Sequence, residues 1–238
     1  SDLINKSWWK IAGSILVLYS LIVGLLGSVP TLPILHESIR NLYFHVPMWF
    51  SMLAIFSISL YHSITYLSKA NYQDDINAEK FAKTGILLGT LGVITGSLWA
   101  RFTWGAWWVN DPKLNGAAIS ILIYFAYLVL RNSLDEEQKR AKIAAVYNIF
   151  AFVLMLVFVM VYPRLNQVDS LHPGNGGNPG FNSYDLDKNM RMVFYPAVVG
   201  WILISIWISK LAVRIEILQY NNLNEALLNT KKTDEKIL

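Results

Sequence analysis

The chain has 238 residues, of which 54% are hydrophobic and only 15% charged, and it carries a formal net charge of +4. So few charges exclude an ordinary water-soluble domain of this size. The absence of cysteine excludes disulfides, thiolate metal sites and thiol chemistry on the protein itself.

The apolar residues fall in blocks rather than amphipathic stripes, so lipid is the expected solvent. In chain order the blocks are 11–29, 46–67, 84–100, 116–130, 143–162 and 192–209. Most approach the roughly 20 residues a helix needs to cross the hydrocarbon, and flanking residues can extend the short fourth block. None alternates as a barrel strand would. The expected fold is all-α: a polytopic membrane bundle of six transmembrane helices spanning residues 1–215, followed by a polar tail at 216–238. The first block is too long for a signal-peptide core and no A-x-A-like cleavage site follows it, so it reads as a span.

The second block opens on LYFHVPMWF. Pro47 suits a first helical turn, which places His45 just before the helix. An imidazole there can bind a metal or simply bond water and backbone. His62 lies further along the same helix, about 25 Å from His45 at 1.5 Å per residue, and cannot share its site. The third block carries Gly85, Gly89, Gly92 and Gly96 at helical spacing, a face for tight helix packing.

Between the third and fourth blocks stands WGAWWVND, with three of the chain's nine tryptophans. Read as a helix, it places Trp104, Trp107, Trp108 and Asp111 on one face. The expectation is a short interfacial helix, serving either as an aromatic anchor or as a platform for a flat ligand. Trp99 lies just upstream, Arg101 and Lys113 frame the motif, and Arg164 begins the last loop. Each cation can snorkel at the interface or meet an anionic ligand. Asp111 is expected to orient a Trp N–H, a lysine or the adjacent backbone. The loop from 163 to 191 is rich in Gly, Asn and Pro, which points to defined turns, and it contains His172.

Alternate loops differ in basic residues. The N-terminus, 68–83, 131–142 and the C-terminal region hold 14 of the 20 Lys and Arg. By the positive-inside rule both termini are cytoplasmic and the Trp motif faces outward. The net charge thus reflects topology and requires no nucleic-acid partner; membrane lipid is the surroundings.

Two histidines, an aromatic platform and framing cations suit haem: stacking for the ring, imidazoles for the iron, cations for the propionates. The residues also carry a family resemblance. WGAWWVND resembles the WGxWWxWD signature of the haem-handling proteins of cytochrome c maturation. TGSLWARFTWGAWWVNDPKL and YFHVP are similar to the CcmC branch of that family. The resemblance runs from about Leu42 to Trp201 and implies haem b as ligand, with His45 as an axial ligand of its iron. It also implies a multi-pass protein of the bacterial cytoplasmic membrane that presents haem to a periplasmic chaperone. A small single-span protein and an ABC-transporter pair are the further partners implied.

The sequence departs from the pattern twice. Asn110 stands where the signature has its last Trp. Tyr162 stands where the second axial histidine is expected, ten residues before His172. His172, Tyr162 and His36 are therefore the candidates for the second ligand, in that order. No nucleophile or acid–base pair marks an enzyme, so that question stays open. The alternative function is a permease for haem or another small solute. It would place ionisable groups at mid-membrane, and the central portions of the six blocks hold no Asp, Glu, Lys or Arg.

Overall fold

Lipid offers backbone groups no hydrogen-bond partner, so a crossing segment must be helical or part of a closed barrel. The computed structural model, which describes residues 2–165, 168–172 and 186–234, takes the helical solution throughout. Its helices are α1 (Asp2–Leu26), α2 (Leu42–Lys69), α3 (Tyr72–Trp104), α4 (Pro112–Asn132), α5 (Glu137–Leu156) and α6 (Lys188–Asp234). A 3-10 turn at His36–Asn41 leads into α2. A π turn (Val157–Val161) and a 3-10 turn (Tyr162–Arg164) continue α5 as far as Arg164. Six helical stretches are long and apolar enough to cross a membrane, and the protein is a multi-pass membrane protein.

Several helices outrun the apolar blocks. α2 begins at Leu42, so His45 lies inside its first turns and Pro47 falls in the second rather than the first. α3 begins well before its apolar block, and α6 runs without a break across residue 216, where the composition turns polar. The reason is packing: helical turns that leave the hydrocarbon still dock on their neighbours.

α2 and α3 form the centre. A two-residue turn joins them: Ala70 takes the left-handed conformation (φ 50°), and Asn71 caps α3 by accepting from the Gln73 N–H at 3.0 Å. Running antiparallel, the helices approach along the glycines of α3. A Cβ on Gly85 would stand 2.5 Å from Phe56, one on Gly92 would stand 2.9 Å from Trp49, and one on Gly96 would stand 2.6 Å from His45. At Gly89 a Cβ would meet both Met52, at 2.9 Å, and Ile121 of α4. The glycine face is thus a groove that receives four successive side chains of α2, the packing role expected of it. Met48, Met52, Ile55 and Phe56 continue as a core with Ile86, Leu88, Tyr124 and Met155. α1 lies outside and packs on α6, where Gly13 and Gly200 allow close approach.

At the end opposite the Trp motif, charges are buried between helices. Arg131 of α4 (5% exposed) grips Asp75 of α3 (3% exposed) through two hydrogen bonds of 2.7 and 2.6 Å. Glu79 stands 3.3 Å from the same guanidinium, and Lys80 reaches Glu216 of α6 at 2.8 Å. His62 bonds Asp74 at 2.7 Å. The pair joins α3 to α4 where the apolar core ends. Removing one partner leaves the other charge buried, which costs more than removing both. Arg131→Met should therefore destabilise the detergent-solubilised protein by about 3–5 kcal/mol. The double variant Asp75→Leu, Arg131→Met should recover most of that in thermal unfolding. Equal losses in single and double variants would contradict this role.

Candidate functional site at the Trp-motif end of α2 and α3

The residues singled out in the sequence divide here into those the fold brings together and those it leaves apart. His45 is half-buried at the head of the glycine groove, its ring against the backbone of Gly96. Its Nδ1 lies 3.1 Å from the Thr95 hydroxyl. Trp49 and Trp99 meet the imidazole edge-on, with ring centroids at 6.2 and 5.9 Å. Trp99 is itself held, donating from Nε1 to the Ser38 hydroxyl at 3.2 Å. Asn41 donates to the Thr95 carbonyl at 3.1 Å, tying the turn before α2 to α3.

The Trp motif does not form the expected helix. α3 stops at Trp104 because Gly105 adopts a left-handed conformation (φ 78°), and the chain then runs as a loop to Asp111. Trp104, Trp107, Trp108 and Asp111 consequently share no helical face. Trp104 stays at the end of α3, where its ring meets His172 edge-on at 5.3 Å. Trp107 and Trp108 are 58% and 41% exposed, so large indole surface stands open at this end. Ser97 donates to the Trp107 carbonyl at 2.7 Å, and Arg101 bonds the Gly105 carbonyl, fixing the loop on α3. Asn110 is structural: it accepts from Asn115 at 2.8 Å, and Asn115 accepts from the Trp108 indole N–H at 3.1 Å.

Asp111 is the best-connected side chain of the site and is 2% exposed. Its Oδ1 accepts from the N–H groups of Lys113 (2.9 Å) and Leu114 (3.3 Å), which makes it the N-cap of α4, with Pro112 at the first helical position. Its Oδ2 accepts from the Ser170 hydroxyl (3.0 Å) and the Leu171 N–H (2.7 Å). His172 Nδ1 lies 3.2 Å from Oδ1. Burial pushes the carboxyl pKa up, but the hydrogen bonds from His172, Leu171 and Ser170 outweigh it and hold Asp111 well below the usual carboxylate range. It is a fixed negative charge at neutral pH. It meets the adjacent backbone, as expected, and it braces a histidine and the last loop rather than a Trp N–H.

His172 is thereby held at the same end as His45, and the two imidazoles lie within electrostatic reach of each other. Lys113 stands within the same reach of His45, Arg164 and Asp111. Arg164 donates to the Met160 carbonyl at 2.7 Å. Tyr162 is exposed on its 3-10 turn, and its side chain makes no hydrogen bond or ring contact among the described residues. His36 is exposed at φ 44°, at the start of the turn before α2, and no contact joins its side chain to the site among the described residues. The Gly- and Asn-rich part of the last loop, 173–185, lies outside the described residues.

Sequence reasoning missed Thr95, Ser38, Asn115 and Ser170, all of which hold site residues. One signal was available: Asp-Pro before an apolar run is a helix start, and it announces Asp111 as a cap. Asp111→Ala removes that cap and three loop tethers together. The variant should lose about 1–3 kcal/mol locally, read as faster amide hydrogen exchange at both Leu114 and Leu171. Unchanged exchange at Leu171 would show that the carboxylate does not hold the last loop.

With this geometry in view, comparison with known proteins is informative. Residues 3–227 match the model of a family described as heme exporter protein C. Heme exporter protein C of Rhodobacter capsulatus is 24% identical over 191 residues, covering 80% of this chain and 76% of that protein. The namesake from Bradyrhizobium diazoefficiens is 26% identical over 184 residues, covering 76% and 68%. Similarity to the Paracoccus denitrificans protein of that name covers only 56% of the relative's length. Cytochrome c biogenesis protein CcsA of Prochlorococcus marinus is 44% identical over a shorter stretch of 75 residues, 32% of this chain and 24% of that protein. The family match covers nearly the whole chain, all six membrane-spanning helices included, and the chain belongs to the heme exporter protein C family.

Proposed function

We propose that this protein binds haem b at the outer face of the bacterial cytoplasmic membrane and presents it to a periplasmic haem chaperone during cytochrome c maturation. The observation that carries the reading is that His45 and His172 stand at the same end of the helix bundle. One comes from α2 and one from the last outer loop, and both are held at the same end by polar bonds to Nδ1 beside open tryptophan surface.

The donor set suits haem better than a bare metal ion. Among the described residues no group of three or more His, Cys, Asp or Glu could hold an ion alone. Haem iron brings four ring nitrogens and needs only one or two protein ligands. Here haem is cargo, and the chain's task is positioning. His45 and His172 would hold its iron, Trp104, Trp107 and Trp108 would flank the ring, with Trp99 behind His45, and Lys113, Arg101 and Arg164 would offset the propionates. Both termini are cytoplasmic in this reading, and a single-span protein and an ABC-transporter pair complete the assembly. A permease reading gains little, because the buried Asp75–Arg131 pair lies at helix ends rather than at mid-membrane.

The test is a haem titration of the purified protein followed by absorbance. Wild type should develop a low-spin Soret band, His45→Ala should lose it, and His172→Ala should shift it to a high-spin form. Tyr162→Phe and His36→Ala should match wild type. A protein that stays colourless with haem sinks the proposal, and loss of the low-spin form in Tyr162→Phe alone reassigns the second ligand. Gly96→Ala provides a finer check, since its Cβ would stand 2.6 Å from the His45 ring and must displace it. It should weaken haem binding about tenfold. Unaltered affinity would detach His45 from the site.

A further inference from the structure

A neutral imidazole carries one proton, and the partner of one ring nitrogen decides which nitrogen remains free to bind a metal. Two groups of α3 face the His45 ring: the Thr95 hydroxyl, 3.1 Å from Nδ1, and the Gly92 carbonyl. A hydroxyl can donate or accept, so the contact alone leaves the proton unassigned. The surroundings of Thr95 assign it. Its Oγ1 lies 2.8 Å from the Leu91 carbonyl and 3.2 Å from the Gly92 carbonyl. Carbonyl oxygens only accept, so the single hydroxyl proton is committed to the preceding turn of α3. Only lone pairs remain to face His45, and Nδ1 must donate to them. The proton therefore sits on Nδ1, and Nε2 carries the free lone pair.

We propose that Thr95 is the positioning residue for His45, fixing the Nδ1–H tautomer so that Nε2 is the atom offered to haem iron. The proposal rests on the reading of His45 as an axial ligand. Thr95 is itself fixed, because its carbonyl accepts from Asn41 at 3.1 Å. The ring has little freedom to turn away, being bounded by Gly96, Trp49 and Trp99. Partners of this kind orient a ligating histidine and raise its basicity. The same logic makes the two histidines unequal: Thr95 offers His45 a neutral acceptor, whereas Asp111 offers His172 a charged one.

Two variants separate this role from packing. Thr95→Val keeps the shape and removes the acceptor; Thr95→Ser keeps the acceptor and removes the methyl group. The first readout needs no haem: the nitrogen-15 imidazole shifts of His45 in the haem-free protein distinguish the tautomers. Wild type and Thr95→Ser should show Nδ1–H, and Thr95→Val should gain the Nε2–H form. Haem affinity should then fall about 10- to 100-fold in Thr95→Val and remain near wild type in Thr95→Ser. An Nε2–H tautomer in wild type overturns the proposal, whatever the variants do. So does a Thr95→Val protein with wild-type tautomer and affinity. If His45→Ala binds haem as wild type does, the site reading fails instead, and the tautomer measurement still decides whether Thr95 sets the proton.

Discussion

The structure depends on how closely α2 and α3 approach. Along their contact Gly85, Gly89, Gly92 and Gly96 stand opposite Phe56, Met52, Trp49 and His45, and a methyl group at any of them would fall within 3 Å of that side chain. In lipid, apolar burial does little to drive helix association, and close backbone approach supplies packing instead. The groove therefore fixes the register between the two helices as well as their distance. The register starts at the Ala70–Asn71 turn at one end of the molecule and finishes with His45 seated on Gly96 at the other. His45, the proposed haem ligand, is placed by the last step of a packing pattern that runs along the helix pair.

A second constraint meets this one from the far side of the site. Asp111 begins α4 and holds Ser170, Leu171 and His172 of the last loop with the same carboxylate. A long loop would otherwise have no reason to return to α4, since ordering it costs conformational entropy. Charge-assisted bonds to a buried, ionised group offset that cost better than neutral ones would. One histidine is thus positioned by close packing and the other by a buried charge. Both are held at helix ends, as the proposed presentation of a flat ligand in one orientation would require.

Much of this was legible in the sequence where a single rule governs the residues. Lipid as solvent demands apolar blocks, and the blocks at 46–67, 84–100, 116–130, 143–162 and 192–209 fall within spanning helices, while the first, 11–29, runs past the end of α1 at Leu26. The glycine spacing on α3 announced a packing face. The Trp motif misled because helical spacing and loop can share one pattern. Gly105 looked like a slim position in a continuing helix, whereas its left-handed conformation ends α3. Thr95, Ser170 and Asn115 carry no local signal, since their roles arise from tertiary contacts with His45, Asp111 and Trp108. The Asp75–Arg131 pair was hidden for the same reason, its partners being 56 residues apart in sequence.

The central claim is that one haem iron is held by two imidazoles, His45 from α2 and His172 from the last loop. Electron paramagnetic resonance of the ferric haem-loaded protein tests it most directly, with samples labelled at histidine by nitrogen-15. The account predicts a low-spin signal whose hyperfine coupling responds to the label at both axial positions. A high-spin signal, or label sensitivity at one axial position with a phenolate at the other, would contradict it.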